Sequence, residues 1–491
     1  MSSLRKEDRS ELLRCLANMG SHGRAEGEEA ERIPRTFYPV SEHLRMLNPD
    51  VVLIVGPRGS GKTEIFRVLT DAGLAGAVSE HSPARVPPPG RTTWVKGYPL
   101  EREGFDSEGI RALLQGADSQ AEAARRLWFA YLVRCVEPFL DSEAREPLQE
   151  LIGIQGGDVE EVLAAWQRAE QQPLLALDRL DESLERKDSY LFVTYDELDV
   201  IAGHDWEVMT LAIQGLVAFW AIYSRRWRRV RAKLFLRTDL YDRFATGGGA
   251  DLAKLAAGRV ELSWSDRQLY GMLFKRIANA DEQLKQYLEG AAGERVTWEW
   301  SDSLGWLPKL EQWTDARPLI ERMVGPYMGA NVKKGHSYRW LLAHVRDGCE
   351  RALPRPLVRI VEEAARQERD SPNPVRGMRL LHPTSLRRAL DRVSREHVDH
   401  ARSEWPWIAK VRQGLTGMQV PCPQREVEKL LSAVRVVDGG GDSFPFAEEA
   451  VLVDYLVEVG ILRRRADGRI DAPDLFLFGL GLKRKGGVAK R

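Results

Sequence analysis

The run Gly56 to Thr63 reads GPRGSGKT, and residues of these types at this spacing can hold a polyphosphate. They fit the pattern G-x-x-x-x-G-K-[ST], in which glycines let the backbone amides turn inward around the phosphates. A helix starting directly after the loop adds the positive end of its dipole at the same place. Gly56, Pro57, Arg58, Gly59, Ser60 and Gly61 are therefore expected to cradle the phosphates. Lys62 is expected to reach the β- and γ-phosphates, Thr63 to ligate Mg²⁺, and Glu64 to complete the nucleotide-contacting positions. The pattern alone can arise by accident in a long, glycine-rich chain, so its surroundings decide its weight. It follows VVLIV (51 to 55), the continuous apolar run of a strand buried on both faces, and precedes a helical pattern from Lys62 to about Leu74.

A metal-bound phosphate site also needs a carboxylate at the end of a neighbouring strand. LFVTYDELD, Leu191 to Asp199, supplies one. Asp196 is expected to hold the Mg²⁺ shell. Glu197, next in the chain, is expected to orient and deprotonate an attacking water, which favours hydrolysis over binding alone. A third strand, KLFLRTD (233 to 239), ends in polar residues, and Arg237 or Thr238 is the candidate γ-phosphate sensor. No N-K-x-D follows that strand, which points to adenine rather than guanine. His204 is read as an ordinary loop histidine.

The elements that position these residues alternate. Strands are expected at 51–55, 92–97, 190–195, 232–236 and 259–264, with helices between them, including one from Trp206 to Tyr223. Buried strands separated by helices imply a parallel sheet covered on both faces. Residues 108–188 read as a helical insertion, and 266 to about 400 as helical with no convincing strand. Helical stretches at Arg425–Val434 and Glu448–Val459, then ILRRRADGRIDAP with a two-residue Asp-Gly turn, match a winged helix. The expected class is α/β: an N-terminal extension (1–48), a P-loop NTPase core (49–265), a helical lid (266–405) and a C-terminal winged-helix domain with a basic tail (406–491).

The bulk composition excludes several classes. Lys+Arg and Asp+Glu both total 72 in 491 residues, so bulk electrostatics cannot coat nucleic acid. Cys15, Cys135, Cys349 and Cys422 have no short spacing, which argues against a zinc site or a disulfide framework. The charged N-terminus lacks the apolar stretch of a secretory signal, and runs such as Leu211–Tyr223 are too short to span a bilayer. A cytoplasmic protein without a membrane partner is expected.

GPRGSGKT, YDELD and FLRTD in this order, followed by VELSW, a helical stretch and the C-terminal helices, resemble an AAA+/STAND-type P-loop ATPase. The sequence is similar to bacterial origin-recognition-like and KAP-like ATPases, several of which are encoded beside phage-defence or mobile-element genes. The resemblance implies a homo-oligomer, an arginine finger acting across subunits at Arg259 (with Arg243 the competitor), and a second sensor at Arg355. It departs from the family pattern in the long insertion 108–188. On this basis the expected function is an ATP-binding and hydrolysing switch that controls a partner effector protein in phage defence. The alternatives are an ATP-gated DNA initiator or loader, and a scaffold that never turns over.

Two basic segments bear on DNA. SRRWRRVR (224 to 231) sets five arginines around Trp227, which suits phosphates and a stacked base, though cations completing a helix C-terminus explain it as well. Arg463, Arg464 and Arg465 fall on the expected wing, and KRKGGVAKR ends the chain. Trp298, Trp300, Trp306 and Trp313 read as packing of the helical domain.

Overall fold

The computed structural model describes residues 4–19, 33–81, 87–98, 107–116, 119–154, 158–198, 201, 205–245, 255–293, 295–402, 405–437, 446 and 448–485. Asp199, His204, the Gly-rich run 247–250, the side chain of Arg243 and the tail from 486 onward lie outside them. The chain forms two compact units, Pro39–Ser263 and Met1–Tyr38 with Trp264–Arg491.

Pro39–Ser263 is built on a five-stranded parallel sheet: β1 Leu53–Gly56, β2 Thr92–Tyr98, β3 Tyr190–Tyr195, β4 Val230–Arg237 and β5 Val260–Glu261. The order is β2-β3-β4-β1-β5. The acidic strand β3 is therefore not the immediate neighbour of the P-loop strand; β4 lies between them. The chain leaves β1 for the far edge, returns through β3 and β4, and crosses β1 to reach β5. That reversal beside β1 is where the carboxyl ends of a parallel sheet open a crevice.

Leucine, isoleucine and valine fill β1, which is buried throughout. The helix Lys62–Thr70 stops earlier than expected because Asp71 caps a second helix, Ala72–Ser79, accepting from the amides of Gly73 and Leu74 at 3.0 Å each. The described residues from Ser107 to Arg186 are helical apart from short connections, as the periodicity implied. The helix Gln120–Val136 packs against Trp206–Arg226 around fully buried Trp128, Trp220 and Trp227. By length and composition Glu207–Arg226 is apolar enough to cross a membrane, contrary to the expectation above, yet 56% of that window is buried inside the protein. It is the core helix of this unit.

In the other unit the N-terminal helix Lys6–Ala17 packs along Pro354–Asp370. Arg9 donates to buried Glu368 at 2.7 Å and to the Leu380 carbonyl at 2.8 Å. Residues 266–400 are not wholly helical. Thr297–Ser301 (β6) and Gly305–Lys309 (β7) form an antiparallel hairpin in which Trp300 faces Trp306 across the strands, their rings 5.1 Å apart. TWEWS and GWLPK carry the aromatic residues that favour a strand, a signal outweighed in the sequence by the helical periodicity around it.

Nearer the C-terminus are helices Ile408–Leu415, Gln424–Val437 and Glu449–Glu458. Gln419–Val420 (β8) pairs in parallel with Lys483–Arg484 (β11), and Arg463–Arg464 (β9) forms an antiparallel hairpin with Ile470–Asp471 (β10). Its loop is three residues rather than two. The Arg465 amide bonds the Arg469 carbonyl, and Gly468 takes φ 79° to close the turn.

Candidate nucleotide site

The P-loop, the acidic pair after β3 and the end of β4 all lie in Pro39–Ser263. The Ser60 amide donates to the Pro57 carbonyl at 3.2 Å, which tightens the loop, and Gly59 and Gly61 adopt φ 78° and 101°. A β-carbon at Gly61 would meet nothing within 4 Å, so its glycine is required by the backbone angle rather than by space. Gly56 is the reverse case. A β-carbon there would lie 2.5 Å from Ser60 Oγ and 2.9 Å from Leu262 Cβ. Gly56→Ala is expected to cost about 1–3 kcal/mol by overpacking, read as a lowered denaturation midpoint together with weaker nucleotide binding.

The helix Lys62–Thr70 begins at Gly61, with the Ile65 amide donating to the Gly61 carbonyl at 3.0 Å. The amides of a first helical turn have no carbonyl of their own helix to bond, and here they belong to Lys62, Thr63 and Glu64. Lys62 Nζ donates to the carbonyls of Gly56 at 3.0 Å and Pro57 at 3.1 Å, so the ammonium is held against the loop it is expected to share with phosphates. Lys62, Thr63 and Glu64 are half-buried.

Behind the loop, buried Lys233 ties the turn that feeds β1. Its Nζ donates to the carbonyls of Asn48 at 2.7 Å and Val51 at 2.5 Å, and burial pushes its pKa well below the ordinary lysine value.

Gly56 pairs in register with Arg237, so β4 ends level with the P-loop. Arg237 is 5% exposed and its guanidinium forks onto Asp239, Nε to Oδ1 at 3.0 Å and Nη2 to Oδ2 at 2.7 Å. Thr238, by contrast, is half-exposed at the first position of the helix Thr238–Ala245. Of the two sensor candidates, Thr238 is the more accessible, and Arg237 must share its charge with Asp239. The spacing R-T-D was the available signal for that pair.

Just past the end of β3, Asp196 is 3% exposed and Glu197 is exposed. Glu197 sits at φ 53°, a left-handed conformation that a residue with a β-carbon adopts at a cost of about 1–2 kcal/mol. Leu198, 2% exposed, anchors the chain on the far side. The turn thus buries Asp196 and Leu198 while turning Glu197 to solvent at the strand's carboxyl end.

The residues fit a hard divalent cation. Thr63 and Asp196 carry oxygens of the kind such an ion takes and would hold it, with the rest of a Mg²⁺ shell ordinarily completed by phosphate oxygens and water. Among the described residues no group of three or more His, Cys, Asp or Glu could hold a metal without such help.

Of the two arginines expected from the resemblance, one lies at the other end of this sheet and one in the other unit. Arg259 precedes β5, whose Val260 is level with Ile54, so it belongs to the opposite end of the strand from Gly56. It is exposed, bonded to Glu261 at 2.8 Å and 5.3 Å from the Tyr241 ring centroid. Arg355 is exposed in the first turn of Pro354–Asp370, in the other unit.

The segment 224–231 does not offer the stacked base contact considered above. Trp227 is 1% exposed, and its Nε1 donates to Asp178 at 2.9 Å. Arg226 pairs with Asp178 and Arg229 with Asp188, while Asp181 accepts from the amides of Arg228, Arg229 and Val230. These residues deliver β4 into the sheet.

A family model described as ORC-CDC6-like matches residues 18–85, the stretch containing the P-loop. Over this stretch the chain is similar to ORC-CDC6-like proteins. Among solved structures, Cdc6p from Pyrobaculum aerophilum is 12% identical over 95% of this chain and 96% of its own, with a TM-score of 0.29. A Walker-type ATPase of Pyrococcus abyssi is 13% identical over 95% and 99%, with a TM-score of 0.38. The ORC1 protein of Aeropyrum pernix in complex with DNA is 12% identical over 94% and 93%, with a TM-score of 0.37. No curated protein matches the chain.

Proposed function

We propose that this chain binds ATP at the carboxyl edge of the sheet in Pro39–Ser263 and hydrolyses it, working as a nucleotide switch. The observation that carries the proposal is the convergence of three strand ends: the P-loop after β1, Arg237 in register with Gly56, and Asp196–Glu197 closing β3. The loop amides and Lys62 bind the phosphates, and Thr63 and Asp196 hold the cation. Mg²⁺, when bound, neutralises charge on the phosphate oxygens. Glu197, exposed and held in a left-handed turn, takes the proton of the attacking water. Thr238, with Arg237 steadied by Asp239, reports whether the γ-phosphate is present. Arg259 is the residue we assign to a neighbouring subunit's site if copies assemble, and Arg355 the residue that senses nucleotide from the helical unit.

For the output we favour a grip on duplex DNA. The ORC-CDC6-like match over 18–85 supports it, whereas control of a phage-defence effector rests on resemblance alone. The helix Glu449–Glu458 just before the hairpin carries Glu449, Asp454 and Glu458 and no lysine or arginine, so it repels phosphates. We place the grip on the hairpin. There Arg463 is paired with Asp471 at 2.9 Å and Arg464 with Asp454 at 2.5 Å, leaving exposed Arg465 as the residue we assign to a phosphate. Arg465→Ala is expected to reduce the salt dependence of DNA binding by about one unit of slope.

ATP turnover of the purified protein, with and without duplex DNA at two salt concentrations, tests both levels. Turnover stimulated by DNA and lost with salt supports the initiator-like reading. Turnover indifferent to DNA returns the output to a protein partner. Absence of any turnover sinks the ATPase reading itself.

A further inference from the structure

We infer that Gly97 and Tyr195 are positioning residues for the Asp196–Glu197 pair: a bulge at Gly97 in the edge strand β2 sets where Asp196 stands. This rests on the ATPase reading above, and Gly97 lies outside every motif that suggested it.

The pairing of β2 with β3 runs Lys96 to Thr194 and then Tyr98 to Tyr195, so Gly97 and Tyr98 together oppose one residue. Such an insertion bends a strand and re-aims what lies beside it. Here the shift brings the Tyr98 carbonyl to the Asp196 amide, which donates to it at 2.9 Å. The ladder thus reaches one residue past the end of β3 and holds the carboxylate-bearing residue by its own backbone.

Only glycine fits at the bulge. A β-carbon on Gly97 would lie 2.6 Å from Val193 Cγ1 and 2.8 Å from both Cε1 and Cζ of Tyr195. The Tyr195 ring occupies the space that a side chain at 97 would need. It is boxed by Trp128, 5.7 Å away, and Trp220, 6.3 Å away, both edge-on and both fully buried. Two further bonds pin the bulge. Thr194 Oγ1 donates to the Val95 carbonyl at 2.9 Å, and Cys135 Sγ donates to the Gly97 carbonyl at 3.6 Å. Burial pushes the Cys135 thiol up to about 12, so it keeps the proton it donates. Asp196 is thereby clamped from β2 on one side and by the left-handed turn at Glu197 and buried Leu198 on the other.

The test compares wild type, Gly97→Ala and Thr194→Val. The alanine collides with Tyr195, while the valine keeps the threonine's volume and loses only the hydroxyl that pins β2. Three quantities are read: ATP affinity without Mg²⁺, the Mg²⁺ concentration that half-saturates the thermal shift of the ATP-bound protein, and kcat. Loss of support behind a metal ligand costs about 10–100-fold, so Gly97→Ala is expected to raise the Mg²⁺ midpoint and lower kcat by at least tenfold. Metal-free ATP affinity, set by the P-loop, stays within about threefold. Thr194→Val moves the same two quantities in the same direction by less, and decides the matter if the alanine variant does not fold.

Wild-type values for the Mg²⁺ midpoint and kcat in either folded variant overturn the inference. So does a parallel loss of metal-free affinity, which would mark general damage. A wild-type protein with no Mg²⁺-dependent shift on ATP would instead sink the nucleotide reading beneath it.

Discussion

Lys62→Ala is expected to weaken ATP binding by at least about 100-fold while leaving the fold intact. Hydrogen bonds to charged groups contribute about 1.5–3 kcal/mol each, and this ammonium is positioned to make two with the β- and γ-phosphates. Its bonds within the protein go to the carbonyls of Gly56 and Pro57 in the same loop. The side chain is half-buried, and truncation also removes these two bonds, so a stability loss of about 1–3 kcal/mol is expected beside the loss of binding. Titration of a fluorescent ATP analogue, with a denaturation curve alongside, measures both. Unchanged affinity would mean that GPRGSGKT is a glycine-rich turn and nothing more.

The second large effect is expected at Glu197, with the opposite division. Glu197→Gln keeps the shape and exposure of the side chain and removes its basicity. ATP affinity is retained, and turnover falls by about 100- to 10,000-fold, the range contributed by a positioned general base. A scaffold that never hydrolyses ATP would show no difference.

Glu197→Gly adds a signature that a surface carboxylate would not have. The residue stands at φ 53°, where glycine is at ease and glutamate is strained. The glycine variant is therefore expected to keep or raise the melting temperature while losing turnover as fully as glutamine does. A marked fall in melting temperature would show that Glu197 is held there for stability rather than chemistry.

The chain's local patterns determined a good deal unaided. GPRGSGKT between an apolar run and an amphipathic helix specified the loop, because strand, tight turn and helix start are each set within a few residues. Tyr190–Tyr195 came out at its observed bounds because a continuous apolar run is the mark of a strand buried on both faces. The helical insertion was legible from the 3.6-residue spacing of its apolar residues.

Long-range packing decided what those patterns could not. That β4 lies between the P-loop strand and the acidic strand depends on which edges pair, and no residue encodes it alone. The short hairpin Thr297–Lys309 lay inside a helical context, so its alternation went unread. Side-chain commitments were equally hidden. Arg237 looks like a sensor in sequence but is forked onto Asp239, and Arg226 and Arg229 beside Trp227 look like part of a nucleic-acid patch but are paired with Asp178 and Asp188. Gly97 was the last residue of the strand expected at 92–97, where a glycine reads as the strand's end, whereas β2 runs on to Tyr98 and makes it a bulge. Only the folded sheet puts the Tyr195 ring against it. Residue type and spacing can say which chemistry is available; which charges stay available for it depends on partners tens of residues away, brought near by packing.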